Sequence, residues 1–160
     1  MQNSLEKADV IVNQDNADHY LDQIVELDAC CFPDGSWNKD AWRGLFDHHQ
    51  LQVYLGFWQN QPAGYLTLSL FSPDSELLRL GVKETFRRQG IGSDLLNWTI
   101  HELKNSAIDS IFLEVREDNL PARLFYQSRG FVKTGERKNY YRSPPCNALI
   151  LNRRVSNYLI

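Results

Sequence analysis

The chain has 160 residues, 42% hydrophobic and 23% charged, with a net charge of −3. That suits one domain, spanning residues 1–160, and leaves no general basic footprint for DNA. It holds no run of about 18 apolar residues, so no membrane span is expected, and the polar start MQNSLEKADV lacks the regions of a signal peptide.

Cys30, Cys31 and Cys146 form an odd set without CxxC spacing, which argues against a disulfide framework or a zinc site. No metal is expected, adjacent Cys30 and Cys31 read as reduced core residues, and the whole fits a cytoplasmic protein. Basic residues cluster only locally, at Arg87-Arg88, Arg137-Lys138 and Arg153-Arg154, where a solvated surface is the default.

A short strand is expected near residues 8–13 and an amphipathic helix at 17–31, where Tyr20, Ile24, Leu27 and Cys31 recur at helical spacing. FPDGSW (32–37) is turn chemistry, and a shorter helix follows over 38–48. LQVYLGFW (51–58) and AGYLTLSLF (63–71) read as a hairpin, with ELLRLGV (76–82) as the next strand. Leu96, Ile100, Leu103 and Ala107 then repeat at four, three and four, giving a helix that opens at the glycines of FRRQGIGSDLL (86–96) and lasts to about 106. IFLEV (111–115) is a short buried strand. Asn119 is a good N-cap, with Pro121 in the first turn and Gly130 as a stop. Two strands, 131–142 and 146–154, close the chain around SPPCN. This order predicts a mixed α/β sheet with antiparallel hairpins first and one central strand–helix–strand crossover.

The glycine segment competes among three phosphate loops. A Walker loop lacks its spacing here, and a Rossmann fingerprint lacks its third glycine, Leu95 standing there. What remains is [RQ]-x-x-G-x-[GA], met by Arg87, Gly90 and Gly92. Backbone N–H groups from Arg88 through Gln89, Gly90, Ile91 and Gly92 to Ser93 could cradle a pyrophosphate at the helix N-terminus. A plain strand–helix turn is the alternative. Along IFLEV, Ile111, Leu113 and Val115 share one face, leaving Glu114 beside Phe112 on the other. Glu114 reads either as a base whose apolar flanks raise its proton affinity, or as a strand-end glutamate paired with an arginine such as Arg116. Asn119, Ala122 and Tyr126 share a helix face. His48-His49 lacks the spacing of a metal pair, and Trp42, Trp58 and Trp98 read as core.

From residue 76 to 141 the chain resembles the GNAT N-acetyltransferase superfamily. ELLRLGV with FRRQGIG resembles that family's strand and pyrophosphate loop. LEVREDNLPARLFYQSRGF (113–131) resembles its N-x-x-A-x-x-x-Y block, and RKNYY (137–141) completes the signature. Within the superfamily it is most similar to the bacterial ribosomal-protein-alanine N-acetyltransferases, which acetylate protein α-amino groups. The resemblance implies a GNAT-like, mostly antiparallel sheet of about seven strands with four helices. It also implies acetyl-CoA as co-substrate, with its pyrophosphate on the cradle and its pantetheine arm along Leu80, Gly81 and Val82, where a backbone N–H polarises the thioester.

By the same resemblance Glu114 relays the amine proton, and Tyr126 faces the sulfur and protonates the leaving thiolate; for Asn119, the helix cap and a contact with the pantetheine arm stand as alternatives that the sequence does not separate. The FP…W loop with Trp37, together with Arg79, Tyr140 and Tyr141, falls on the acceptor side. The family commonly has N-I-A-V where this chain has Arg79-Leu80-Gly81-Val82, and its FP…W loop is shorter. Expected partners are acetyl-CoA and a protein or peptide N-terminus, such as that of a ribosomal protein. Rival readings are a lysine or polyamine acceptor, and a non-catalytic acyl-CoA sensor, against which the presence of both Glu114 and Tyr126 argues.

Overall fold

The computed structural model describes residues 9–48 and 50–155. His49 and the polar start at 1–8 lie outside the described residues. The elements run β1 (Val10–Val12), α1 (Ala17–Cys31), α2 (Lys39–Asp47), β2 (Leu51–Trp58), β3 (Gln61–Phe71), β4 (Asp74–Val82), α3 (Ile91–Leu103), β5 (Ser110–Arg116), α4 (Leu120–Gln127), β6 (Val132–Arg142) and β7 (Pro145–Arg154). The strands form one seven-stranded sheet in the order β1-β2-β3-β4-β5-β7-β6. Only β4–β5 is parallel, across the α3 crossover; every other pairing is antiparallel.

This is the expected architecture, with local differences. A 3₁₀ turn at Glu84–Phe86 separates β4 from α3; α3 stops at Leu103, earlier than its apolar periodicity implies, and α4 at Gln127, short of the Gly130 stop. β7 begins at Pro145, inside the segment read as a turn. Cys30 is exposed and Cys31 half-buried, so the paired cysteines are not both core. Trp42 is fully buried, while Trp58 and Trp98 pack half-buried against the core.

Each face of the sheet carries its own apolar cluster. Leu95, Leu96, Ile100 and Leu103 of α3, with Tyr126 and Phe131, pack on Leu66, Leu68, Ile111, Leu113 and Leu149. On the opposite face Leu21, Ile24 and Leu27 of α1 and Trp42 and Phe46 of α2 pack on Val53, Leu55 and Tyr65. The i, i+3, i+4 recurrence of these residues produces each helix's buried stripe.

Two irregularities shape the site. The β4–β5 ladder holds only three pairs, Asp74–Ser110, Ser75–Ile111 and Glu76–Phe112. Beyond them the two strands no longer pair with each other, β4 staying on β3 and β5 on β7, and a cleft opens between. β4 also carries a bulge: Leu77 faces Leu68 and Arg79 faces Thr67, so Leu78 is the extra residue. Because side chains alternate along a strand, one extra residue exchanges the faces beyond it. Leu77, Leu80 and Val82 therefore point to the α3 side, while Arg79 and Gly81 point to the α1 side.

Candidate active site

The cleft between the splayed strands has a volume of about 700 Å³. Leu78, Arg79 and Leu80 form its β4 wall and Leu113, Glu114, Val115 and Arg116 its β5 wall; Asn119, Ala122 and Tyr126 of α4, Tyr141 of β6 and the loop residues Phe32, Asp34 and Gly35 complete it. The alternation read from IFLEV holds: Ile111, Leu113 and Val115 are buried and Glu114 is the polar neighbour.

Glu114 is 16% exposed, and its Oε1 forms an ion pair with Arg137 Nε at 2.7 Å. The arginine partner is thus on β6, not Arg116, which instead grips Asp118 at 3.0 Å. The environment is consequently not the purely apolar one that the flanking residues suggest. A second carboxylate stands close by: Glu76, beside Phe112 in the β4–β5 ladder. Burial, then the charge of Glu114, raise its pKa above the usual glutamate value, and Arg137 counteracts.

Tyr126 is buried, 8% exposed, with its ring edge-on to Phe125 and Phe131 at 5.2 and 5.4 Å. Burial pushes its hydroxyl well above the ordinary tyrosine range, so it stays protonated and available as a donor at all ordinary pH. Asn119 caps α4, its Oδ1 accepting from the Ala122 N–H at 3.2 Å, and also lines the cleft.

β4 joins the cleft to a second cavity, since Leu80 lines the first and Val82 the other. This cavity, of about 230 Å³, is bounded by Phe86, Arg87, Arg88, Gly90, Ile91, Gly92, Ser93 and Phe125. Gly90 is the α3 N-cap at φ +85°, a left-handed conformation that disfavours side chains. The first helical bond is Asp94 N–H to Gly90 C=O at 2.9 Å. The preceding N–H groups of the turn therefore have no intrahelical partner and are free for an anion. A Cβ on Gly92 would sit 3.6 Å from Val82 and 3.8 Å from Phe125. The protein tolerates that, but the cavity would be partly filled.

Gln89 belongs to the same turn. Arg87 Nε donates to Val82 C=O at 3.0 Å, bracing the turn against β4. Arg129 contacts Ser93 Oγ and stacks on Phe125 at 4.2 Å, a brace for which the motif gave no signal.

Gly81 is explained by packing. A Cβ there would meet Cys31 Cβ and Tyr65 Cε1 at 2.9 Å, so the position has no room for a side chain. Burial pushes the Cys31 thiol up to about 11. Lys83 N–H donates to Ala63 C=O at 2.8 Å, and Gly81 pairs with Tyr65. By antiparallel alternation the N–H groups of Gly81 and Lys83 face β3, and those of Leu80 and Val82 face the cleft.

The remaining residues expected on the acceptor side divide. Asp28, fully buried, accepts from Tyr65 Oη (2.5 Å), Arg79 (2.6 Å), Trp37 N–H (2.7 Å) and Trp42 Nε1 (3.3 Å). Arg79 also donates to Gly35 C=O at 2.6 Å and lies 3.7 Å over Trp37. Arg79 therefore lines the cleft while its guanidinium is committed to protein partners, and Trp37 supports it from beneath without lining the cleft. Tyr141 lines the cleft with Arg116 4.6 Å over its ring; Tyr140 is exposed on a β6 irregularity between Arg137 and Tyr141. Asp28 had a signal in the sequence, a carboxylate one turn beyond Ile24 on the apolar stripe of its helix. Its partners had none, being distant in the chain.

The acetyltransferase (GNAT) family profile matches residues 21–131. The chain is 31% identical over 120 residues to the [ribosomal protein bS18]-alanine N-acetyltransferase of Escherichia coli K12, covering 73% of this chain and 76% of that protein. It is 33% identical over 117 residues to the enzyme of the same name from Salmonella typhimurium, with the same coverage. The crystal structure of the Escherichia coli ribosomal-protein-S18-alanine N-acetyltransferase superposes with a TM-score of 0.78 at 22% identity, over 92% of this chain and 94% of that one. The chain belongs to the acetyltransferase (GNAT) family and is an N-acetyltransferase.

Proposed function

We propose that the protein moves an acetyl group from acetyl-CoA to the α-amine of a protein N-terminus, as the names of its relatives say of them. The observation that carries this reading is the convergence of Glu114 and Tyr126 on one cleft whose β4 wall runs on into a glycine-built anion cradle. The cradle turn from Arg88 to Ser93 would hold the pyrophosphate, and the cleft-facing N–H groups of Leu80 and Val82 would pair with the pantetheine arm and polarise the thioester carbonyl.

A free α-amine has a pKa of about 8 and is substantially protonated at neutral pH. Glu114 takes the ammonium proton on its carboxylate, beside Arg137, and passes it to solvent. The neutral nitrogen attacks the thioester carbon; the C–N bond forms, the C–S bond breaks, and nitrogen loses its second proton as the thiolate gains one. With its pKa raised by burial, the Tyr126 hydroxyl acts chiefly as a hydrogen-bond donor to sulfur as charge develops, completing proton transfer only as the bond breaks. The cytoplasm is the expected setting, where Cys30, Cys31 and Cys146, which form no disulfide, stay reduced.

Mass spectrometry after incubation with acetyl-CoA tests this. The substrates are alanine-terminated peptides, N-blocked lysine peptides and polyamines. Acetylation of the peptide α-amine is the expected outcome; modification of only lysine or polyamine transfers the reading to those acceptors.

A further inference from the structure

Four charged side chains line the cleft: Asp34, Arg79, Glu114 and Arg116. Three are matched by ion pairs, Arg79 with Asp28, Glu114 with Arg137 and Arg116 with Asp118. Asp34 has no ion pair or hydrogen bond among the described residues and is exposed on the loop that forms the lip of the cleft. Among the charged side chains that line the cleft, Asp34 therefore stands without a compensating partner among the described residues. The backbone that carries that charge is held. Arg79 grips Gly35, the next residue, and is itself locked by buried Asp28 and the Trp37 ring. A braced loop backbone loses little freedom when a ligand binds, so the charge is presented at one place on the lip.

We propose that Asp34 determines acceptor specificity by selecting amines that carry a second cationic group, such as a basic side chain next to the N-terminal residue. The reacting amine itself must be neutral when it attacks and belongs near Glu114 on the β5 wall. Asp34 stands on the other side of the splay, where the acceptor's flanking group falls. The Asp28–Arg79 clamp is the positioning device. This proposal rests on the acetyltransferase reading of the cleft.

The test uses three peptides identical except for Arg, Gln or Glu at the second position, with wild type, Asp34→Asn and Asp34→Lys. Wild type should prefer Arg to Gln to Glu, by about two- to fivefold per step as for a partly exposed ion pair, mostly in KM. The preference should narrow as salt rises. Asp34→Asn should abolish it and Asp34→Lys reverse it, with CoA affinity unchanged. Arg79→Lys, which loses the fork to Gly35, should weaken the preference although Asp34 remains. Wild-type indifference to the second residue, or a preference that survives in Asp34→Asn, overturns the proposal. Calorimetric titration of the same peptides into the protein–CoA complex separates it from the α-amine reading. If α-amines are inert and another amine is acetylated, matched mono- and diamines decide the charge preference on the same terms.

Discussion

The two faces of the sheet build their halves of the site from different materials. On the α3 side the proposed cradle is a backbone turn, with Gly90 in a left-handed cap and Gly92 leaving space beside a cavity. On the α1 side the lip is held by side chains, through one buried carboxylate that gathers donors from β3, β4, α2 and the 32–37 loop. The first kind needs only a short run of sequence to specify it. The second exists only when five segments meet. The contrast predicts that damage on the α3 side falls on ligand affinity with little cost in stability, while damage at the hub on the α1 side falls on the fold.

The sharpest break should come where the two halves share the chemistry. Glu114→Gln and Tyr126→Phe should each lower kcat by about 10²–10⁴-fold with CoA affinity nearly unchanged, read by steady-state kinetics and calorimetry. The Glu114→Gln deficit should shrink as pH rises past about 8, where the amine is already neutral. Since burial raises the Tyr126 hydroxyl, wild-type kcat should show no fall near pH 10 from its ionisation. A Tyr126→Phe enzyme at wild-type rate would leave the thiolate departing without it.

Asp28→Ala comes next. It strands the Arg79 guanidinium and three further donors, and chemical denaturation should show a loss of about 3–5 kcal/mol. Gly81→Val forces a side chain against Cys31 and Tyr65, for about 1–3 kcal/mol. Smallest and most discriminating is the pair at the cradle. Gly90→Ala should cost about 1 kcal/mol of stability through its positive φ. Gly92→Ala, inside the first turn of α3, should leave stability equal or slightly higher while weakening CoA binding, because its Cβ occupies the cavity. A loss of stability at Gly92 with affinity intact would undo the division between the faces.

Most of the fold was legible because its signals are local. Period-two runs gave the strands, period-3.6 stripes the helices, and Gly90 and Asn119 the starts of α3 and α4. The glycine turn before α3 was legible for the same reason, being contiguous in the chain. Glu114 was readable as the polar member of an alternating strand, though not its partner, because Arg137 arrives from β6 through a ladder with β7.

The sequence by itself determined the order of elements, the single crossover and the positions of the cradle glycines, since each depends on neighbours within a few residues. Tertiary structure alone decided which side of the sheet Arg79 serves. Without the extra residue at Leu78, alternation would send Arg79 and Gly81 into the apolar α3 cluster; with it, Arg79 reaches Asp28 and Gly81 makes room for Cys31. No local pattern marks that bulge, because a ladder's register is fixed by what packs on both faces at once.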